Sequence, residues 1–201
     1  MATTTPNYGW NVPTSADYVA QGAVAIQTLG DEIDATVFGL PSGGLTLVSA
    51  TTVGTAVSSV TVSGAFSATY DNYKIILDSM DAASTEVAAY MKLDNSAGST
   101  YSWGVVLVSY SGIVAGTALN AGTLGLYAGT ISTLDNSANV FDVISPYKAT
   151  YTSNMGHAAT LVYGTFYAGT DKNAVSHTGF TIAPSTGTMT GGTIRVYGYQ
   201  N

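Results

Sequence analysis

Apolar positions change their spacing once along this chain. Between residues 15 and 40 they recur every three or four positions, with Ile26, Leu29 and Ile33 the clearest run. Extending that run gives Val19 and Gly22 before it, and Thr36 and Leu40 after it. This is the stripe of an amphipathic helix, arranged as a short heptad with Ile at a and Leu at d. Thr14 or Ser15 is the expected N-cap, and Asp17 suits the positive end of the helix dipole. Gly30 is a candidate C-cap, with Asp31 restarting a second short helix and bending the axis. A stripe this short, containing Gly22 and Gly30, does not hold a lone helix together in water. It needs a partner: copies of itself, or the body of its own chain. The candidate oligomerisation residues are Val19, Ile26, Leu29 and Ile33.

Pro41, Gly43 and Gly44 end the helical pattern and form a hinge, because proline stops a helix and glycine permits a sharp redirection. From Leu45 onward the spacing falls to two. Strands are predicted over residues 45–50, 58–63, 73–79, 88–93, 102–110, 123–127, 139–144, 159–167, 178–183 and 193–199. Asp71-Asn72, Asp94-Asn95 and Asp135-Asn136 stand where strands should turn. The continuous run from Tyr73 to Leu77 suits a central strand covered on both faces. Ala-Gly-Thr recurs, as at Ala115, Ala121, Ala128 and Ala168, but at uneven intervals that belong to turns rather than to a solenoid. The predicted class is mainly β: an antiparallel β-sandwich or jelly roll over residues 45–201, preceded by an extended arm over 1–14 and one short coiled-coil-like helical segment over 15–40.

In the arm, Tyr8, Trp10 and Val12 alternate with Asn7, Gly9 and Asn11, between Pro6 and Pro13. Apolar side chains at period two on an extended segment suit docking along a surface or adding to a sheet edge. Asn7, Tyr8, Trp10, Val12 and Pro13 are therefore the candidate docking residues.

Composition narrows the function classes. The net charge is -7, and the cations are Lys74, Lys92, Lys148, Lys172 and Arg195. Five scattered cations build no basic stripe, which argues against nucleic acid and anionic membranes as partners. With no Cys, neither a disulfide nor a thiolate ligand is available. Residues 1–14 lack the pattern of a signal peptide, and no apolar run suggests membrane insertion. His157 and His177 are in no metal-binding spacing, and no nucleophile motif accompanies them. No catalytic residue, metal or cofactor is expected. Asp31, Glu32 and Asp34 read as a solvated acidic face, or as a ring of negative charge if the helices gather. Tyr90, Tyr101, Trp103, Tyr110 and Tyr127 are candidate surface aromatics for sugar or protein contact, although cross-strand and core pairing is the commoner role for each.

The opening of the chain also resembles a known group. Asn7-Tyr8-Gly9-Trp10, then Pro13, Asp17-Tyr18-Val19 and Leu29-Gly30 with Ile33-Asp34 are similar to the N-termini of structural proteins of tailed bacteriophages. The match covers about the first fifth of the chain. Tyr70 to Ile75 and the closing Gly192 to Tyr199 look like elements of the β-sandwich tips of phage fibres. The resemblance implies a virion protein assembled in the host cytoplasm and usually a homotrimer. Its N-terminus would dock on other phage structural proteins of the tail, neck or capsid, and its outward head would meet a host surface glycan or protein. No shaft separates Leu40 from Leu45, so a short fibre or spike is expected rather than a long fibre. A capsid decoration protein that cements the shell is the rival, and a carbohydrate-active enzyme on a β-sandwich a more distant one.

Overall fold

The computed structural model describes residues 3–15, 18–39, 44–84, 86–109, 112–119, 124–133 and 137–200, with the backbone alone over 113–119. Asp17, Leu40, Pro41, Gly43, Tyr110, the turn at Asp135-Asn136 and the Ala-Gly-Thr at Ala121 lie outside the described residues. The elements, in chain order, are β1 (Thr3–Thr4), β2 (Asn11–Val12), α1 (Gly22–Gly39), β3 (Leu45–Thr52), β4 (Val60–Val62), β5 (Asn72–Asp78), β6 (Asp81–Ala82), β7 (Val87–Leu93) and β8 (Tyr101–Ser109), then β9 (Gly112–Leu119), β10 (Leu126–Ile131), β11 (Ala138–Ile144), β12 (Thr150–Ala159), β13 (Tyr163–Val175), β14 (Phe180–Pro184), β15 (Met189–Thr190) and β16 (Thr193–Tyr199). They fall into two compact units, Met1–Gly43 and Gly44–Asn201.

The first unit differs from an extended arm followed by a bent helix. β1 pairs antiparallel with β2, Thr3 facing Val12 and Thr4 facing Asn11. The chain doubles back because Pro6 presets one turn dihedral and Gly9 takes φ +70°. The Thr5 N–H donates to the Trp10 carbonyl at 2.9 Å, and the Gly9 N–H to that of Thr5 at 3.0 Å. The helical region then starts later than Thr14 or Ser15: a 3-10 turn at Val19–Gln21 leads into α1, and extended Tyr18 precedes it with no side-chain cap. α1 then runs through Gly30 without a break. Once nucleated, each further residue adds a hydrogen bond, and one glycine costs only about 1 kcal/mol.

The second unit is an antiparallel sandwich. One sheet has eight strands in the order β3-β16-β5-β11-β12-β13-β8-β9, and the other has four in the order β10-β7-β14-β4. β15 and β6 form a further short antiparallel pair. Alternation decides which residues meet between the sheets. Tyr73, Ile75 and Leu77 of β5 are buried, as are Ile194 and Val196 of β16 and Phe141 and Val143 of β11. From the smaller sheet come Ala89, Met91, Leu126, Phe180 and Ile182. Gly156 lies opposite Phe141 across the β11–β12 ladder, where an added Cβ would stand 2.5 Å from the Val140 carbonyl oxygen.

Two strands escape the sequence pattern. β12 buries Thr152, Asn154 and Ala158 at alternate positions, so its inward face is small or polar and shows no apolar alternation. The strand predicted over 159–167 straddles the turn between β12 and β13. There Thr160 Oγ1 accepts from the Val162 and Tyr163 N–H groups at 3.3 and 3.1 Å. In β9 the Gly and Ala-Gly-Thr that read as turn vocabulary form ladder instead, paired along β8. The candidate surface aromatics Tyr90, Tyr101, Trp103 and Tyr127 are all buried. Tyr127 stands edge-on to Tyr167 at 5.0 Å between centroids, and Trp103 lies 5.3 Å from Tyr127.

Burial in this cluster pushes the Tyr167 hydroxyl well above its usual value, and burial raises Tyr127 and Tyr90 as well. The folded state therefore favours the protonated phenols. Their contribution is fully present below about pH 10 and is lost as pH rises through the raised folded values. The thermal midpoint is expected to fall above pH 10 and to fall less steeply in Tyr167→Phe, measured by circular dichroism across alkaline pH. Among the described residues the Tyr167 hydroxyl finds no hydrogen-bond partner. Tyr167→Phe at neutral pH is therefore expected to stabilise the protein by about 1 kcal/mol, because an unpartnered buried hydroxyl is removed.

Candidate functional site

The N-terminal unit gathers most of the residues singled out from the sequence. Trp10 stacks on Tyr8, with ring centroids 5.0 Å apart, and its Nε1–H donates to Thr36 Oγ1 at 2.9 Å. The Asn11 N–H donates to Glu32 Oε2 at 2.6 Å, and Asn11 Nδ2 to Glu32 Oε1 at 2.5 Å. Asn11, Val12 and Pro13 line a small groove with Ala25 and Thr28. The arm thus clasps one side of α1. Glu32 is a clamp on Asn11 rather than part of a solvated acidic face. Neither Thr36 nor Glu32 signals this role in the sequence, because the contact joins segments more than 20 residues apart.

This clamp has a measurable consequence. A hydrogen bond to a charged carboxylate contributes about 1.5 kcal/mol, roughly a factor of ten in an opening equilibrium. Glu32→Ala is expected to speed amide exchange at Asn11 about tenfold, read by hydrogen exchange, while amides of β5 and β11 keep their rates.

The clamp also divides the predicted seam. No residue of α1 is buried. Ala25, Leu29, Glu32 and Thr36 lie on the side turned to the arm, and all four are half-buried. The other side carries Ala23, Ile26, Gly30, Ile33 and Val37, at alternating steps of three and four; all are exposed except Ile33, which is half-buried where this stripe borders the arm side. Ile26 is 66 % exposed and Val37 59 %, and Val19, in the preceding 3-10 turn, is 97 % exposed. Ile26 and Ile33 therefore share one stripe, Leu29 belongs with the arm, and small Ala23 and Gly30 let another backbone come close. Of the candidate docking residues, Tyr8 is 62 % exposed and Asn7 and Pro13 are exposed, while Trp10 and Val12 are half-buried. Of the hinge, Gly44 takes φ +131°.

The second unit contains a buried polar cluster around His177. His177 and Asp171 are both fully buried, with His177 Nε2 3.7 Å from Asp171 Oδ2. His177 Nδ1 contacts the Asp94 carbonyl oxygen. The Asp94 carboxylate accepts from the Thr178 N–H at 2.9 Å, and Asp171 Oδ1 accepts from Thr100 Oγ1 and from the Asn173 N–H. The cluster ties the turn after β7, the start of β8, β13 and the segment before β14 to one another. Among the described residues no group of three or more His, Cys, Asp or Glu is placed to hold a metal ion, and no helix is long and apolar enough to cross a membrane.

Compared with known proteins, the chain matches no family model, no curated protein and no solved structure.

Proposed function

We propose that the protein is a structural component of a bacteriophage particle, a short trimeric fibre or spike. Its N-terminal unit joins the particle, and its sandwich head faces outward to meet a host surface glycan or protein. The observation that carries the reading is α1, an 18-residue helix with no buried residue and an open stripe at heptad spacing. A helix of this length is marginal alone in water, and shielding its apolar stripe is the source of its stability. Ile26 and Ile33 occupy d positions of that stripe, with Ala23, Gly30 and Val37 at a. A β-branched residue at d disfavours the two-stranded arrangement and suits three strands. The role is mechanical and uses no catalytic centre or cofactor. The arm keeps Tyr8 exposed beside Trp10, a stacked aromatic surface fitted to a groove on another phage structural protein.

Imaging of particles carrying a labelled chain tests this reading. Label at the tail, neck or a capsid vertex is expected, and an absence of label from purified particles would refute it. Deleting residues 2–13 is expected to abolish incorporation while the head keeps its β circular dichroism.

A further inference from the structure

The outward face of the eight-stranded sheet carries an apolar row that solvent does not explain. Arg195 pairs with Ile76, Ile76 with Val140, Val140 with His157, His157 with Phe166, and Phe166 with Val106. These residues alternate with those that face the core, so all of them point away from it. Phe166 is 60 % exposed, and Met155 on the adjacent row is 51 % exposed. Val106, Val108 and Leu161 are exposed beside them. An antiparallel sheet with one wet face places mainly polar residues there; this face holds Lys74, Asp142, His157 and Arg195, but it also leaves Phe166, Met155 and Val106 exposed.

We infer that this face, centred on Phe166, Met155 and Val106, is a second contact between copies of the chain, covered in the assembled protein by the head of a neighbouring copy. Three observations select that occupant. The exposed apolar side chains offer on the order of 500 Å², at the upper end of the patches seen on monomers. That is close to the apolar share of one side of a standard interface. The charges nearest the row are already neutralised within the chain: Lys74 Nζ lies 2.7 Å from Asp142 Oδ1, and Arg195 Nη1 2.6 Å from Asp78 Oδ2. Among the described residues, the lysine, arginine and carboxylate groups of this row and of the row beside it are thus paired, and Lys172 lies farther along β13, in the groove that also includes Met155. Finally, α1 is about 27 Å long, and one heptad stripe of that length falls short of what a stable assembly buries. A further contact between copies supplies the difference. In a closed threefold arrangement with this face turned toward the axis, the same residues of neighbouring heads come close to one another.

The inference rests on the reading that copies gather through α1, and the test separates the two. The chain has no Cys, so single substitutions report cleanly. Phe166→Cys, Val106→Cys, Ile26→Cys and, as a control on the smaller sheet, Thr61→Cys are made in the full chain and treated with a short bis-maleimide crosslinker at micromolar concentration. Circular dichroism checks the fold of each variant, and two face positions guard against one failing to fold. Phe166→Cys and Val106→Cys are expected to give at least fivefold more linked chains than Thr61→Cys. Yields no higher than the control overturn the inference. So does poor labelling of both positions by a monofunctional maleimide in dilute, monomeric protein, which would mean that the chain itself covers the face. Linkage at Ile26→Cys without linkage at the face positions would remove this inference and leave the α1 seam standing. Linkage at the face without Ile26→Cys would do the reverse.

Discussion

Ile26→Asp combined with Ile33→Asp is expected to convert the proposed trimer into single chains of 20.5 kDa while leaving the head folded. The size of the effect follows from burial. Fully shielding an isoleucine contributes about 1.5 kcal/mol at the low end of the range, and in the proposed trimer three chains would bring six such side chains to one seam. Because part of each side chain is already shielded, the loss is about 5 kcal/mol, on the order of several thousandfold in the association constant. Aspartate adds to it, because three carboxylates meeting at an axis repel one another and none has a cation beside it. Leu29→Asp is the informative contrast. Leu29 lies on the side of α1 turned to the arm, so its substitution is expected to loosen the hairpin more than the assembly. Sedimentation velocity reads the mass of both variants. If the Leu29 variant dissociates and the Ile26/Ile33 variant does not, the open stripe is misassigned.

The largest effect on folding is expected at Gly156. It sits in β12 near the centre of the large sheet, opposite Phe141. A Cβ there would stand 2.4 Å from the Phe141 Cβ, 2.8 Å from its Cα and 2.5 Å from the Val140 carbonyl oxygen. Two of those atoms are backbone of a strand paired on both sides, so neither can yield without breaking ladder bonds. Overpacking of this kind costs about 3 kcal/mol, or roughly 10 °C in the thermal midpoint of a domain this size. Gly164→Ala provides the control. It lies in β13, and its nearest neighbour is 3.9 Å from the added Cβ, so a change of less than about 1 kcal/mol is expected. Thermal melts of the two variants decide the matter, and equal midpoints would contradict the packing described for β12.

The fold class was legible because hydrophobic period is a local property. The shift from steps of three and four to steps of two at Leu45 separates the two units, and Tyr73 to Leu77 announces an interior strand, β5, although only Tyr73, Ile75 and Leu77 are fully buried and Lys74 and Ile76 on the other face are half-buried. Strands whose inward positions hold small or polar residues were not legible. Thr152, Asn154, Gly156 and Ala158 fill the space beneath a layer of Tyr127, Phe141 and Tyr167, and only the facing sheet reveals that small residues are required there. The aromatics illustrate the same limit. Tyr90, Trp103 and Tyr127 look alike in the sequence whether they face solvent or one another, and the sandwich places them together.

At the candidate site, the heptad stripe could be read but its partition could not. Ile26, Leu29 and Ile33 form one run in the sequence, and the arm assigns Leu29 to its own side by bonding to Glu32 and Thr36. Such long-range polar contacts leave no periodic trace. The outward face of the large sheet had a faint signal. Phe166 and Ala168 interleave with Thr165 and Tyr167 in β13, so apolar residues occupy both parities, as they do in strands covered on two sides.

The central claim is that three copies join through the open stripe of α1. Sedimentation equilibrium of the unmodified full chain at micromolar concentration tests it most directly. The expected result is a single species of three times 20.5 kDa that persists on tenfold dilution. A mass of one chain at every concentration would contradict it.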